Sequence, residues 1–489
     1  MQRNNGNILP DEIGWIVRGQ ERREGTRLEM RAPFDQSRIG HCWQASWSDA
    51  QEAVEAATAG FARSSALGSW ERQNILNAVA GRLQSEHERF AQTIMREAGK
   101  PITSARAEVD RAILTFRVAA EEATRIGGEV LPLDLIPSAA GRWGISRRFP
   151  SGPVLAITPF NFPLNLVAHK LAPAIACGCP VILKPAPQTP LSSWLLVRAI
   201  LEAGWPTDAL AFLPLSNEDT ARLVAEDDRI RVVSFTGSER VGWELKALAK
   251  KKRVLLELGG NAALIVAGDW PDLEGAAQCA VKGGFGYAGQ SCISVQRIYV
   301  QQSIFQPFCD ALLRRVERLH VGDPALEETD VGPLIRESDA KRVEQWIEEA
   351  IDSGATLLAG GKRNGSMVRP TVLTGTYSPM QVRDEEIFGP VIAVEPYEHF
   401  GDSIAAVNAS RYGLQAGLLT RDAGLIQQAY GALEVGALIV GDAPTWRLDS
   451  MPYGGVKDSG EGREGVRYAI EEMTERRLLV MALQASPGR

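Results

Sequence analysis

Cys292 lies in the run Gly-Tyr-Ala-Gly-Gln-Ser-Cys-Ile-Ser (286–294), thirty-five positions after Glu257 in Leu-Glu-Leu-Gly-Gly-Asn (256–261). Small, uncharged neighbours leave such a thiol open to a small electrophile. A carboxylate elsewhere in the chain can then activate a water that cleaves the adduct. Either residue alone has an ordinary explanation. A cysteine is most often a small buried hydrophobe, and a Glu near the end of a strand is usually solvated or ion-paired.

A second group of residues suits a dinucleotide, which needs backbone amides at a helix N-terminus for its pyrophosphate and polar side chains for its ribose hydroxyls. The Gly-x-Gly-x-x-Gly fingerprint does not follow the relevant strands, which counts against a standard Rossmann site. Instead, Ser-Phe-Thr-Gly-Ser-Glu-Arg-Val-Gly (234–242) offers a strand, a glycine turn and a serine cap opening a helix. By itself such a turn more often starts a helix than binds a phosphate. Lys184 ends another apolar strand, where ligands of open α/β sheets bind, with a solvated lysine as the plain alternative. Thiol, carboxylate and nicotinamide features together suggest oxidation of an aldehyde through a thiol adduct.

The elements that must position these groups are legible in outline. The chain has 489 residues, more than one hydrophobic core normally supports, so at least two domains are expected. Residues 47–99 and 103–126 have helical periodicity, and 127–150 reads as a projecting β-hairpin. From 153 onward apolar strands alternate with helices: strands at 153–158, 180–185, 232–235 and 254–257, helices at 164–176, 190–203 and up to about 250. This pattern indicates a parallel, doubly wound sheet. A second series follows the cysteine: strand 295–300, helices 303–319 and 336–353, strand 391–395, helix 402–409. A helix at 463–474 and a last strand Arg476–Leu483 close the chain, and the boundary between the two series falls near 258.

Composition excludes several classes. With 45% hydrophobic and 23% charged residues and a formal net charge of −7, the chain reads as globular and offers no basic tract for nucleic acid. No apolar run approaches the length of a membrane helix, and the N-terminus lacks a signal core. Six cysteines in so long a chain do not form a disulfide framework, so a reducing cytoplasm is expected. Cys177 and Cys179 lack a second ligand pair, so packing is expected there and no metal.

The chain resembles the aldehyde dehydrogenase superfamily over roughly residues 25–482. The matching segments are Ile-Thr-Pro-Phe-Asn-Phe-Pro-Leu (157–164), Val-Ile-Leu-Lys-Pro-Ala (181–186), Ser-Phe-Thr-Gly-Ser (234–238) and Leu-Glu-Leu-Gly-Gly-Asn (256–261). They continue with Gly-Gln-Ser-Cys (289–292), Glu-Glu-Ile-Phe-Gly-Pro-Val (385–391) and Met-Pro-Tyr-Gly-Gly-Val-Lys-Asp-Ser-Gly (451–460). These motifs stand in the family's order.

The resemblance implies an α/β fold with a Rossmann-type cofactor domain (1–126 and 149–257, rejoined by 449–474). It adds a catalytic domain (258–448) and a β oligomerisation arm (127–148 and 475–489). It implies Cys292 as nucleophile, Asn161 with the Cys292 backbone N–H as oxyanion donors, and Glu257 as the base for thioester hydrolysis. Oxyanion donors are worth about 2.7–4 kcal/mol each. Lys184 and Glu386 would hold the two riboses, Phe388 would lie near the nicotinamide, and Gly237 and Ser238 at the pyrophosphate. Thr158, Phe160 and Pro187 would also line the cofactor site. Phe162, His169, Ser291 and Trp446 are the substrate-side candidates. His169 reads equally as a packed histidine, and Arg111, Arg117 and Arg447 read as anion contacts or as structural ion pairs.

Glu257 favours hydrolysis to a free acid over acyl transfer to coenzyme A, since acylating members often lack that residue. Proline at 187 replaces the glutamate of strongly NAD-selective relatives without adding a cation, so NAD or NADP is expected, NAD slightly preferred. Ser291 is neutral where relatives acting on phosphorylated aldehydes can carry arginine. The stretch 444–457 is similar to the branch containing lactaldehyde, phosphonoacetaldehyde and non-phosphorylating glyceraldehyde-3-phosphate dehydrogenases, which hints at small polar aldehydes. A protease-like use of Cys292 would want a partner histidine, and none stands in a suggestive motif. An inactive structural or binding member of the fold is disfavoured by Asn161, Lys184, Glu257, Cys292 and Glu386 occurring together. The hairpin and the last strand are expected to pair subunits into a homodimer or homotetramer.

Overall fold

The computed structural model describes residues 10–482. Residues 1–9 and 483–489, the latter including Leu483 of the expected last strand and the end of the expected arm, lie outside the described residues. The first of two large sheets runs in the order Gly460–Glu461, Arg253–Glu257, Val232–Thr236, Val154–Ile157, Val181–Lys184, Leu210–Phe212, Trp15–Val17 and Gln20–Arg22. From Arg253–Glu257 to Leu210–Phe212 the pairing is parallel throughout. These strands are short runs of Val, Leu, Ile and Ala with nearly every side chain buried, as expected where helices cover both faces.

Register decides where the polar ends emerge. Ile157 pairs with Lys184 and with Phe235, and Thr236 pairs with Glu257. Thr158, Lys184, Thr236 and Glu257 therefore leave the sheet together at its carboxyl edge, where open α/β sheets bind ligands.

The second sheet orders Thr356–Ala359, Thr371–Thr374, Val391–Tyr397, Arg297–Gln301, Ala263–Val266, Gln415–Leu419 and Ala437–Val440. It is parallel except for its first strand. A third, antiparallel sheet pairs Thr474–Ala482 with Arg142–Pro150, and that strand with Gly128–Pro132. The expected hairpin is thus present, with the chain's last described strand added along it.

The helical stretch expected over 47–99 is three helices, Trp47–Ala66, Ser69–Ser85 and His87–Ala98. Ser46 and Asp49 form a capping box that starts the first. Gly99, at φ +64°, ends the third in the left-handed region that glycine tolerates. Helix Ile102–Ala123 packs on Ser69–Ser85 and on Asn165–Cys177, burying Phe116, Leu171 and Ile175 in one core. Cys177 and Cys179 lie in the same core.

The alternating α/β class holds, but several elements escape the sequence pattern. The strands at 15–17, 210–212, 263–266, 371–374, 415–419 and 437–440 and the helix Leu273–Phe285 are not foreseen. Each of these strands is five residues or shorter, and runs such as Ala-Leu-Ile-Val are too brief for periodicity to separate strand from buried helix. No helix among the described residues is long and apolar enough to cross a membrane.

Candidate active site

A cavity of about 980 Å³ opens at the carboxyl edge of the first sheet and takes its walls from both large sheets. Cys292, Glu257 and Asn161 line it, as do Thr158, Phe160, Lys184, Pro187, Gly237, Ser238, Glu386 and Phe388. Residues separated by more than two hundred positions thus face one space.

Cys292 is held by an unusual turn. After helix Leu273–Phe285 the backbone passes through Tyr287 (φ 51°), Ala288 (φ 53°) and Gly289 (φ 70°). A Cβ on Gly289 would stand 2.1 Å from the Gly389 carbonyl oxygen, so no larger residue fits. The Gln290 side chain anchors the next step, accepting from the Ile335 amide at 2.9 Å and donating to the Pro333 carbonyl at 3.2 Å. The Cys292 sulfur then sits 3.0 Å from the Tyr453 hydroxyl. Burial pushes the thiol up to about 12, and the Tyr453 hydrogen bond works in the opposite direction.

Asn161 donates from Nδ2 to the Gln290 carbonyl at 3.0 Å, fixing its amide beside the cysteine turn. Glu257 is buried, and neither carboxylate oxygen has a hydrogen-bond partner. Burial first, and then the nearby Glu464 charge, raise its carboxyl well above the usual range. A carboxyl so poised accepts a proton more readily than an ordinary one. Burial works against the charge of Glu464 too. Lys170 at 3.2 Å, then His169 and Arg447 (the latter also at 3.2 Å), nevertheless hold that carboxyl below its usual range.

The remaining wall suits a dinucleotide. The hydroxyls of Thr158 and Thr236 are buried without partners, and burial pulls the Lys184 ammonium down to about 8. Glu386 accepts from the Gly260 amide at 3.0 Å, with burial pushing its carboxyl up to about 7. A Cβ on Gly259 would come within 2.3 Å of that carboxylate. Phe388, at φ +46°, meets the Phe160 ring edge-on at 5.9 Å. Ser238 occupies the N-cap position of helix Glu239–Leu248, but its side chain makes no capping hydrogen bond, contrary to the expected serine cap. The orphaned hydroxyls, the buried ammonium and this helix end match ribose and pyrophosphate chemistry.

On the substrate side the expectations divide. Phe162 and Ser291 line the cavity, whereas His169 and Trp446 do not. His169 is buried behind the wall. Its Nδ1 accepts from Arg447 at 3.1 Å, and because arginine only donates, Nε2 carries the proton given to Asp449 at 2.8 Å. Trp446 is half exposed and does not line the cavity, although its neighbours Thr445 and Arg447 do. Arg117 is exposed and bonded to Gln84, while Arg111 and Arg447 do reach the cavity. Tyr453, Glu464, Lys170 and Asp449 are the site residues that sequence reasoning misses. Tyr453 lies within the quoted 451–460 motif and Asp449 within the stretch 444–457, whereas Lys170 and Glu464 carry no motif signal of their own.

Comparison with known proteins agrees with this geometry. The aldehyde dehydrogenase family model matches residues 20–479. The 3-sulfolactaldehyde dehydrogenase of Priestia aryabhattai is 43% identical over 472 residues, covering 96% of this chain and 98% of that protein. Aldehyde dehydrogenase 21 of Physcomitrella patens, solved with its reaction product succinate, superposes with a TM-score of 0.95 at 42% identity, covering 97% of this chain and 98% of that one. Glyceraldehyde-3-phosphate dehydrogenase of Methanocaldococcus jannaschii, solved with NADP, gives a TM-score of 0.90 at 37% identity, covering 94% and 100%. With the family model spanning residues 20–479 and relatives covered almost end to end, the chain belongs to the aldehyde dehydrogenase family.

Proposed function

We propose that this NAD(P)-dependent aldehyde dehydrogenase oxidises a small polar aldehyde to its free acid, with Cys292 as nucleophile and Glu257 as general base. The observation that carries the reading is that Glu257, with both carboxylate oxygens unpartnered, opens on the same cavity as the Cys292 sulfur. Cys292 adds to the aldehyde carbon as a thiolate. The Asn161 amide and the Cys292 backbone N–H stabilise the oxyanion that forms. A bound nicotinamide dinucleotide would supply the hydride acceptor for that adduct, whose oxidation would leave a thioester on Cys292. Glu257 then draws a proton from the water that attacks the thioester, releasing acid and restoring the thiol.

Lys184, Glu386, Thr158 and the helix end at Gly237–Ser238 would hold the dinucleotide, with Phe160, Phe388 and Pro187 beside it. Both NAD and NADP are expected to serve. Pro187 presents no carboxylate to repel a 2′-phosphate, while Arg240 on the same wall is engaged by Glu244 at 3.0 Å. NAD keeps a slight preference for lack of a free cation there. In this reading residues 1–126, 149–257 and 449–474 form the dinucleotide-binding domain, 258–448 the catalytic domain, and 127–148 with 475–489 an arm that pairs subunits. A cytoplasmic setting fits six cysteines that all remain free.

The test is an aldehyde panel assayed with NAD and with NADP, following reduced-cofactor absorbance and identifying the product. Free acid formed without added coenzyme A is the expected result. A strict requirement for coenzyme A, or oxidation of no aldehyde, overturns the reading.

A further inference from the structure

Three carboxylates converge on Arg411 from separate parts of the fold. Nη1 donates to Glu239 at 2.6 Å and to Asp458 at 3.3 Å, and Nη2 donates to Glu385 at 2.7 Å. The Tyr412 hydroxyl also accepts from Nη2, at 2.6 Å, and the Arg411 carbonyl accepts from the Asp458 amide at 3.1 Å. Glu239 is the first residue of helix Glu239–Leu248, Glu385 precedes Glu386, and Asp458 lies in the turn before the edge strand Gly460–Glu461.

At the start of that helix Ser238 and Arg240 line the cavity, whereas Glu239 between them does not. The Ser238 side chain makes no capping hydrogen bond, so the N-cap leaves the first-turn amides to other partners. Negative charge is favourable at a helix N-terminus, whether it comes from a carboxylate in the first turn or from a phosphate. Glu239 and a pyrophosphate are therefore rivals for one helix end. Here Arg411 takes the Glu239 carboxylate, while Glu385, Asp458 and Tyr412 hold the guanidinium in place. Arg411 itself does not line the cavity and both its terminal nitrogens are engaged, so it is no phosphate ligand. Both charges are nevertheless felt inside the cavity. Burial raises the Glu386 carboxyl, the Gly260 amide and the charges of Arg342 and Arg411 pull it down, and Glu239 pushes it up.

We propose that Arg411 is a positioning residue for the dinucleotide, drawing the Glu239 carboxylate off the helix end that takes the pyrophosphate. This deepens the proposed function and rests on its placing of the pyrophosphate at Gly237–Ser238. Three carboxylates against one guanidinium already leave the cluster with two negative charges. Loss of Arg411 makes that three and frees Glu239 to compete with the pyrophosphate. Removal of the Glu239 charge cancels the competition.

The experiment measures dissociation constants of NADH and NADPH, by protein-enhanced fluorescence, for the wild type, Arg411→Met, Glu239→Gln and the double variant. Arg411→Met is expected to bind about three- to tenfold more weakly, and the deficit relative to wild type should shrink at about 1 M salt, which screens charge. Glu239→Gln should bind at least as tightly as wild type. Added to Arg411→Met, it should restore binding to within about twofold of wild type. In turnover, Arg411→Met should raise KM for the dinucleotide with little change in KM for the aldehyde. If Arg411 only braces the fold, Glu239→Gln weakens binding as well, and the double variant is no better than Arg411→Met. Either result overturns the proposal, as does wild-type affinity in Arg411→Met. Should the methionine variant not fold, Arg411→Gln, which keeps hydrogen bonds and loses the charge, takes its place in the same comparison. A wild-type protein that binds neither dinucleotide sinks the cofactor reading of the cavity and this proposal with it.

Discussion

The Tyr453 hydroxyl lies 3.0 Å from the Cys292 sulfur, and the Arg447 guanidinium stacks on the same ring. A thiol that burial pushes up to about 12 is a poor nucleophile at neutral pH, because only the thiolate attacks. The tyrosine hydroxyl opposes that push by donating to the thiolate. Tyr453→Phe deletes one hydrogen bond worth about 1 kcal/mol. Alkylation of Cys292 by iodoacetamide at neutral pH should therefore slow about fivefold, with its pH profile moved upward. An unchanged profile separates Tyr453 from thiol activation.

Cys292→Ala should abolish turnover and leave dinucleotide binding nearly intact, because the proposed adduct forms on the thiol whereas Lys184, Thr158 and Glu386, elsewhere along the cavity, are the residues proposed to hold the dinucleotide. Protein-enhanced fluorescence of the reduced cofactor reports binding, and absorbance reports turnover. More than a few per cent of residual turnover removes Cys292 from its role.

Glu257→Gln should give one burst of reduced cofactor and then stall at the thioester, since oxidation precedes the hydrolysis assigned to Glu257. The pH dependence follows from the same carboxyl. Burial and Glu464 raise it, so below that raised value it is protonated and cannot accept the water's proton. Steady-state turnover of the wild type should rise with pH above the ordinary carboxylate range, and the Gln variant should lose that rise. A wild-type rate already flat from pH 5 upward contradicts the base assignment.

The protein should assemble as a homodimer or a dimer of dimers. Leu478, Leu479 and Val480 are about half exposed on an edge strand, and Val130, Leu135 and Ile136 on the adjoining hairpin are more exposed still. An apolar edge of this kind calls for a partner. Light scattering at micromolar concentration should find a multiple of 53.1 kDa, and a single monomeric species refutes the prediction. Deleting residues 476–489 should release monomers or prevent soluble expression. A truncated protein of unchanged oligomeric mass shows that this strand is not the contact.

Much of the framework is legible before any coordinates. Runs such as Val-Ile-Leu-Lys at 181–184 and Val-Val-Ser-Phe-Thr at 232–236 read as strands because turns and helical stretches alternate with them in a repeated order, and the polar residue ending each marks the ligand edge. Cys292 and Glu257 stand out because small residues and glycines surround them. The short strands of the second sheet do not stand out, because four or five apolar residues satisfy helix and strand alike.

The sequence by itself determines the alternating α/β class and the polar residues at the ends of the first sheet's strands, and its resemblance to the family singles out the candidate thiol and carboxylate. The first two follow from local composition and from periodicity, which the chain carries within a few residues. Only the tertiary structure decides what surrounds them. His169 falls behind the wall and Trp446 does not line it, because helix rotation and loop path depend on distant packing. Tyr453 reaches the Cys292 sulfur across 161 positions, and Asp449 reaches Arg111 across 338. Side-chain pairs so far apart in the chain leave no local pattern, since the free energy that joins them comes from burial shared by the whole fold.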